Sequence, residues 1–204
     1  MNRREFFLRG IHKLTDAALE SAAEKARENA RRWIRPPYAI DELDFLLACT
    51  RCDKCIEACP HQVIFPLTAR LGFQVAETPA LDLLNKGCHL CEDWPCVTAC
   101  EPGALLRESP QQPDDEEVTA EQEENTEEVP APIPLPKLAN ASVDTVHCLP
   151  YNGPECGACK GVCPVPQAMA WEREKPQIDP DLCVGCGLCR EACIFEPKAI
   201  TLSR

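Results

Sequence analysis

Bulky core material is scarce in this chain. Of 204 residues only 5% are aromatic, and there are two methionines. The 45% hydrophobic fraction overstates the apolar content, because it counts sixteen cysteines and many alanines. No apolar run approaches the roughly 20 residues of a membrane span, so no transmembrane segment is expected. Positive charge is short as well, with 21 Lys and Arg against 33 Asp and Glu, a net charge of −12. That balance argues against nucleic acid, whose phosphates would be repelled. Neither a phosphate-cradling glycine loop, nor a flavin or nicotinamide fingerprint, nor a nucleophile–base pair can be found. The expectation is a protein that is not an enzyme by itself, with something other than apolar burial holding it together.

Cysteine supplies that alternative. The stretch Cys49-Thr-Arg-Cys52-Asp-Lys-Cys55-Ile-Glu-Ala-Cys59-Pro60 has the cysteine run of bacterial [4Fe–4S] ferredoxins. Three further runs vary it: Cys88, Cys91, Cys96 and Cys100; Cys148, Cys156, Cys159 and Cys163; Cys183, Cys186, Cys189 and Cys193. All sixteen cysteines are used. Structural zinc favours two Cys-x-x-Cys pairs separated by a longer loop, which these runs fit poorly. A disulfide framework needs an oxidising compartment, for which no export signal is read. A single cluster with inert cysteines fails because every cysteine is in register. Four [4Fe–4S] clusters are therefore expected. With so few large side chains, metal–thiolate bonds would replace an apolar core, and the apoprotein should be largely unfolded.

In two-cluster ferredoxins the last cysteine of each run crosses to the other cluster. Exchange within each half would give four ligand sets: Cys49, Cys52, Cys55 and Cys100; Cys88, Cys91, Cys96 and Cys59; Cys148, Cys156, Cys159 and Cys193; Cys183, Cys186, Cys189 and Cys163. A nested pairing, first run with fourth and second with third, stays open beside it. Two runs deviate from the common spacing. The second has a longer loop, Cys91-Glu-Asp-Trp94-Pro95-Cys96, with Trp94 placed to shield a cluster. The third has seven residues between Cys148 and Cys156, so Cys148 is the least secure ligand. Gly185 and Gly187 flank Cys186 and suit positive φ, which would turn backbone N–H groups toward cluster sulfur. His89 and His147 adjoin cysteines, but with a full set of thiolates they read as surface or supporting groups.

The expected fold class is α+β, with two tandem ferredoxin-like units of short helices and small antiparallel hairpins. Residues 1–39 form a basic segment with a helix over 15–32, ended by Arg35-Pro36-Pro37. Its apolar face is Leu14, Ala18, Ala22 and Ala26, or Leu19, Ala23 and Ala30. Arg3-Arg4-Glu-Phe-Phe-Leu begins like a twin-arginine signal, but the charges from Lys13 to Arg32 leave no apolar h-region, so a cytoplasmic location is expected. Residues 40–106 and 143–204 are the two units. An internal repeat supports them: Pro102-Gly-Ala104-Leu105, Pro166-Gln-Ala168-Met169 and Pro197-Lys-Ala199-Ile200 follow three runs, while Pro79-Ala-Leu81-Asp82 and Pro176-Gln-Ile178-Asp179 precede two. Residues 107–142 are the linker. Ten acids from Glu108 to Glu128, no Lys or Arg over 108–136, and frequent proline read as an extended spacer.

Taken together these residues resemble the NapF-type ferredoxin-like proteins encoded with periplasmic nitrate reductases. The likeness rests on Arg3-Arg4, Arg35-Pro36-Pro37, Phe45-Leu46 and Cys49-Thr50-Arg51-Cys52-Asp53. It extends to Cys148-Leu149 with Tyr151 and Glu155-Cys156, and to Cys183-x-Gly-Cys186-Gly-x-Cys189. It covers residues 35–106 and 143–202. The resemblance implies a cytoplasmic iron–sulfur electron-transfer protein that binds the molybdenum-containing catalytic subunit before export. It would support that subunit's maturation or supply it with electrons. The spacing between Cys91 and Cys96 is similar to that of electron-transfer β subunits of other redox complexes, which is one alternative. A non-redox assembly factor with purely structural clusters is the other.

Overall fold

The structure, a computed structural model, describes residues 20–107 and 134–203. The twin-arginine stretch, the start of the expected N-terminal helix and most of the acidic segment lie outside the described residues. Short helices and three two-stranded antiparallel sheets make up the rest.

Helix α1 covers residues 20–30. Ala23 and Ala26 are half-buried and Ala30 is buried, while Ala22 faces solvent. The inward face thus draws on both stripes legible in the sequence. The helix ends at residue 30 rather than at the prolines. Residues 31–33 turn through i→i−3 bonds that end on Glu28, Asn29 and Ala30, and Trp33 then drops into a small core with Ala30, Leu67, Val75 and Ala80. Burying that indole stabilises the chain by more than another helical turn would. Ile34 next bridges Leu81, and Ala39 bridges Leu105. Residues 30–39 are thereby tied to strand and loop residues that follow them.

The chain then runs through helix α2 (Glu42–Ala48), capped by the Asp41 carboxylate, and helix α3 (Lys54–Glu57). Strand β1 (Ile64–Pro66) pairs with β2 (Pro79–Leu81), and α4 (Pro95–Thr98) follows. The second half opens on β3 (Asn140–Val143), which pairs with the closing strand β6 (Ile200–Ser203). Between them lie the hairpin of β4 (Met169–Glu172) and β5 (Lys175–Ile178), and helix α5 (Leu188–Glu191). Composition assigns residues 137–142 to the linker, and they pack against residues of this half. Leu138 and Ala139 are buried, the Leu138 N–H donates to Val184 O, and Lys137 Nζ donates to the carbonyls of Pro180 and Cys183.

The hairpins show the repeat at the level of register. Ile64 pairs with Leu81 and Pro66 with Pro79; Met169 pairs with Ile178 and Trp171 with Pro176. Asp82 N–H donates to Val63 O, as Asp179 N–H does to Ala168 O. The alanines of the recurring Pro-x-Ala signature, Ala104, Ala168 and Ala199, are all buried.

The halves meet directly. Cys88 N–H donates to Cys186 O at 2.7 Å, Gly87 N–H to Glu191 Oε2 at 2.8 Å, and Arg190 Nε to Leu84 O at 3.1 Å. A Cβ on Gly87 would lie 2.6–2.7 Å from Leu188, so only glycine fits there. Leu81, Leu83, Cys88, Leu138, Ala139, Val184 and Cys186 share one core cluster across this junction.

Candidate metal centres

The sixteen thiols gather around four cavities. Site I is lined by Cys49, Cys52, Cys55 and Cys100; site II by Cys59, Cys88, Cys91 and Cys96. Site III is lined by Cys148, Cys156, Cys159 and Cys193; site IV by Cys163, Cys183, Cys186 and Cys189. Three cysteines of each set come from one run and the fourth from the other run of the same half. None of these four cavities combines cysteines of the first run with cysteines of the fourth.

A short helix explains the sharing. In three runs the third cysteine sits on a four-residue helix and the fourth follows it: Cys55 and Cys59 with α3, Cys96 and Cys100 with α4, Cys189 and Cys193 with α5. The two sulfurs therefore stand about one helical turn apart and reach neighbouring cavities. In the third run Cys159 lies in a turn instead. Gly161, two residues beyond it, adopts φ +76°. The residue before each helix is left-handed: Asp53 at φ 59°, Trp94 at 45°, Gly187 at 84°. Arg51 and Leu90, one residue before Cys52 and Cys91, share that conformation, as Gly185 does before Cys186. Sequence reading placed it only at the glycines. In the other runs nothing in the residue types marks it.

Cys148 is brought home by the inserted loop. Residues Leu149–Tyr151 form a 3-10 turn. Asn152 Nδ2 ties the loop shut by donating to the carbonyls of Thr145, Val146 and Cys148. Trp94 is buried on the wall of site II and meets Tyr38 edge to face at 4.9 Å. His89 and His61 also line site II and stack at 3.5 Å. His147 instead pairs with Asp144 at 2.6 Å and lines none of these cavities.

Burial pushes the thiols of Cys55, Cys96 and Cys189 up to about 12, and those of Cys88, Cys159 and Cys186 up to about 11. Cys52, exposed at the rim of site I, is lowered by the backbone N–H of Lys54. Buried thiols that resist ionisation alone, grouped with further soft sulfur donors, call for a cationic group between them. Among the described residues no group of three His, Cys, Asp or Glu closes tightly enough to hold one metal ion. The donors fit a polynuclear group that fills a cavity better than zinc at a point. Backbone N–H groups already reach sulfur at two places: Leu105 to Cys100 Sγ and Gly185 to Cys183 Sγ, both 3.3 Å.

Thiol-lined cavities on Cys-x-x-Cys loops, flanked by short helices and small hairpins, define an iron–sulfur protein of the ferredoxin type. A 4Fe–4S binding domain model matches residues 176–196, which contain the whole fourth run. Among curated proteins, the ferredoxin-type protein NapG of Escherichia coli is 32% identical, covering 98% of this chain and 84% of its own length. The methylamine utilization ferredoxin-type protein MauM of Methylorubrum extorquens is 30% identical, over 98% and 87%. The ferredoxin-type protein NapF of Escherichia coli is 29% identical, over 80% and 82%. No solved structure matches. The chain belongs to this Nap ferredoxin-type family.

Proposed function

We propose that the protein carries one [4Fe–4S] cluster in each of sites I to IV and passes electrons along them to a redox enzyme. The single observation behind this reading is the set of four cavities, each with four thiols on its wall. When bound, such clusters supply one-electron chemistry at potentials anywhere from roughly −700 to +450 mV.

The chain's own residues set the order. Cys55 and Cys59 straddle α3, linking sites I and II; Cys189 and Cys193 straddle α5, linking IV and III. The backbone bond from Cys88 to Cys186 joins II and IV. The series is therefore I–II–IV–III, with its ends in opposite halves. The tandem arrangement of two two-cluster units belongs to this reading, as does the absence of a catalytic centre. The partner we propose is a molybdenum-containing reductase in the cytoplasm, which the protein helps mature or supplies with electrons. The likeness to the ferredoxin-type proteins NapG and NapF supports that choice.

Anaerobic purification tests the cluster count. About sixteen iron atoms per chain, without stoichiometric zinc, is the expected result; zinc in place of iron would overturn it. Affinity capture from the native cytoplasm, followed by electron delivery to the captured enzyme, tests the role. A folded variant lacking one cluster that still supports full partner activity would favour an assembly factor instead.

A further inference from the structure

Among the described residues one buried side-chain nitrogen or oxygen has no hydrogen-bond partner: Nε1 of Trp171. Leaving such a donor dry and unpaired costs as much as losing a hydrogen bond, and native proteins give nearly all of them an acceptor. Trp171 lines site III. It packs with Cys159 and Ile200 on the inner side of the β4–β5 hairpin. Alternation along β4 sends Met169 to site IV and Trp171 to site III, two residues apart on one face. The register shows what stands at the matching place in the first half. Trp171 pairs with Pro176, and Pro66 pairs with Pro79. Proline has no N–H at all. The two hairpins are otherwise alike here, so the donor is a feature of site III that site I lacks at this position.

We propose that the indole N–H of Trp171 donates its hydrogen bond to sulfur of the cluster in site III and raises that cluster's potential. The inference rests on the ligand sets proposed above. Gain of one electron adds one negative charge to the sulfur shell, and a fixed donor facing it favours the reduced form. No proton moves. Lys160 Nζ stands 5.5 Å from the centre of the Trp171 ring, adding positive charge beside the donor. Trp171 is thus a positioning residue for charge at the end of the series, and it biases electrons toward site III.

The test is Trp171→Phe in the full, cluster-loaded chain, because Phe keeps an aromatic ring and removes the donor. Iron content is expected to be unchanged. In a redox titration followed by electron paramagnetic resonance, one signal should become harder to reduce. About a tenfold fall in its reduced-to-oxidised ratio at fixed potential corresponds to about 59 mV for one electron. A second measurement uses the native chain with 15N-labelled indole. A reduced cluster should show coupling to 15N and to an exchangeable proton, both lost in Trp171→Phe. Unchanged potentials with no such coupling, in protein holding its full iron, would overturn the proposal. If the variant fails to retain iron, the labelled native chain decides alone. Native chain without iron–sulfur clusters would overturn the reading beneath it instead.

Discussion

Arg35 and Glu42 form a buried ion pair whose loss should unfasten the N-terminal element from site I. Their side chains are 4% and 2% exposed, with Arg35 Nη2 donating to Glu42 Oε1 at 2.6 Å. Nε donates to Oε2 at 3.1 Å, while Nη1 donates to Thr78 Oγ1 at 2.8 Å and to Pro79 O at 2.7 Å. The guanidinium also lies over Phe45, 4.5 Å from its ring centre. Arg35→Met removes the charge and every donor while keeping most of the length. Glu42 is then left buried with only the Trp33 indole N–H, at 3.3 Å. Breaking a buried pair from one side costs about 3–5 kcal/mol. With a urea slope of about 2 kcal/mol per molar, the midpoint should fall by about 2 M. Anaerobic urea titration of the cluster-loaded protein by circular dichroism measures this. Because Pro79 and Phe45 line site I, iron should leave that site first. Removing both charges together, in Arg35→Met with Glu42→Met, should be far less harmful than the sum of the single changes, since no ion stays unpaired. A single change costing under about 1 kcal/mol, or a double change as bad as the sum, would refute the reasoning.

Other expectations follow from the same geometry. Anaerobic chelation of iron should abolish most secondary-structure signal, as expected where ligation replaces a core; an apoprotein that keeps its spectrum would contradict this. Asp53→Gly should stabilise the chain by about 1 kcal/mol, because Asp53 is held at φ 59° without a capping bond. A lower melting temperature would show that its carboxylate does something else. Gly87→Val should disrupt the junction between halves, where a Cβ meets Leu188 at 2.6 Å. Electron flow from site II to site IV should then slow while both halves keep iron, and unaltered transfer would argue against the order given above. A reporter fused to the first forty residues should stay in the cytoplasm; export that stops when Arg3 and Arg4 become Lys would overturn that location.

Sequence alone grouped the thiols into four runs. Cysteine spacing is a covalent constraint, so which thiols lie within one loop was legible before any fold was known. The alternation of Pro-x-Ala signatures likewise announced the repeat, because a buried alanine at a cavity wall cannot grow. What the spacing could not settle was how separate runs come together. That depends on non-local pairing: the registers of β1 with β2 and β4 with β5, and the contact of Cys88 with Cys186. Composition also hid two sets of contacts. Residues 30–39 read as the end of a basic N-terminal segment and 137–142 as linker, yet bridges to Leu81 and Leu105 and bonds to Val184 tie them to the folded chain. Positive φ at Arg51, Asp53, Leu90 and Trp94 carries no mark in the sequence, since surrounding packing rather than residue preference imposes it. Trp171 is the sharpest case. As a letter in a strand it reads as one more apolar residue, and only the tertiary structure shows a buried donor with nothing to receive its hydrogen.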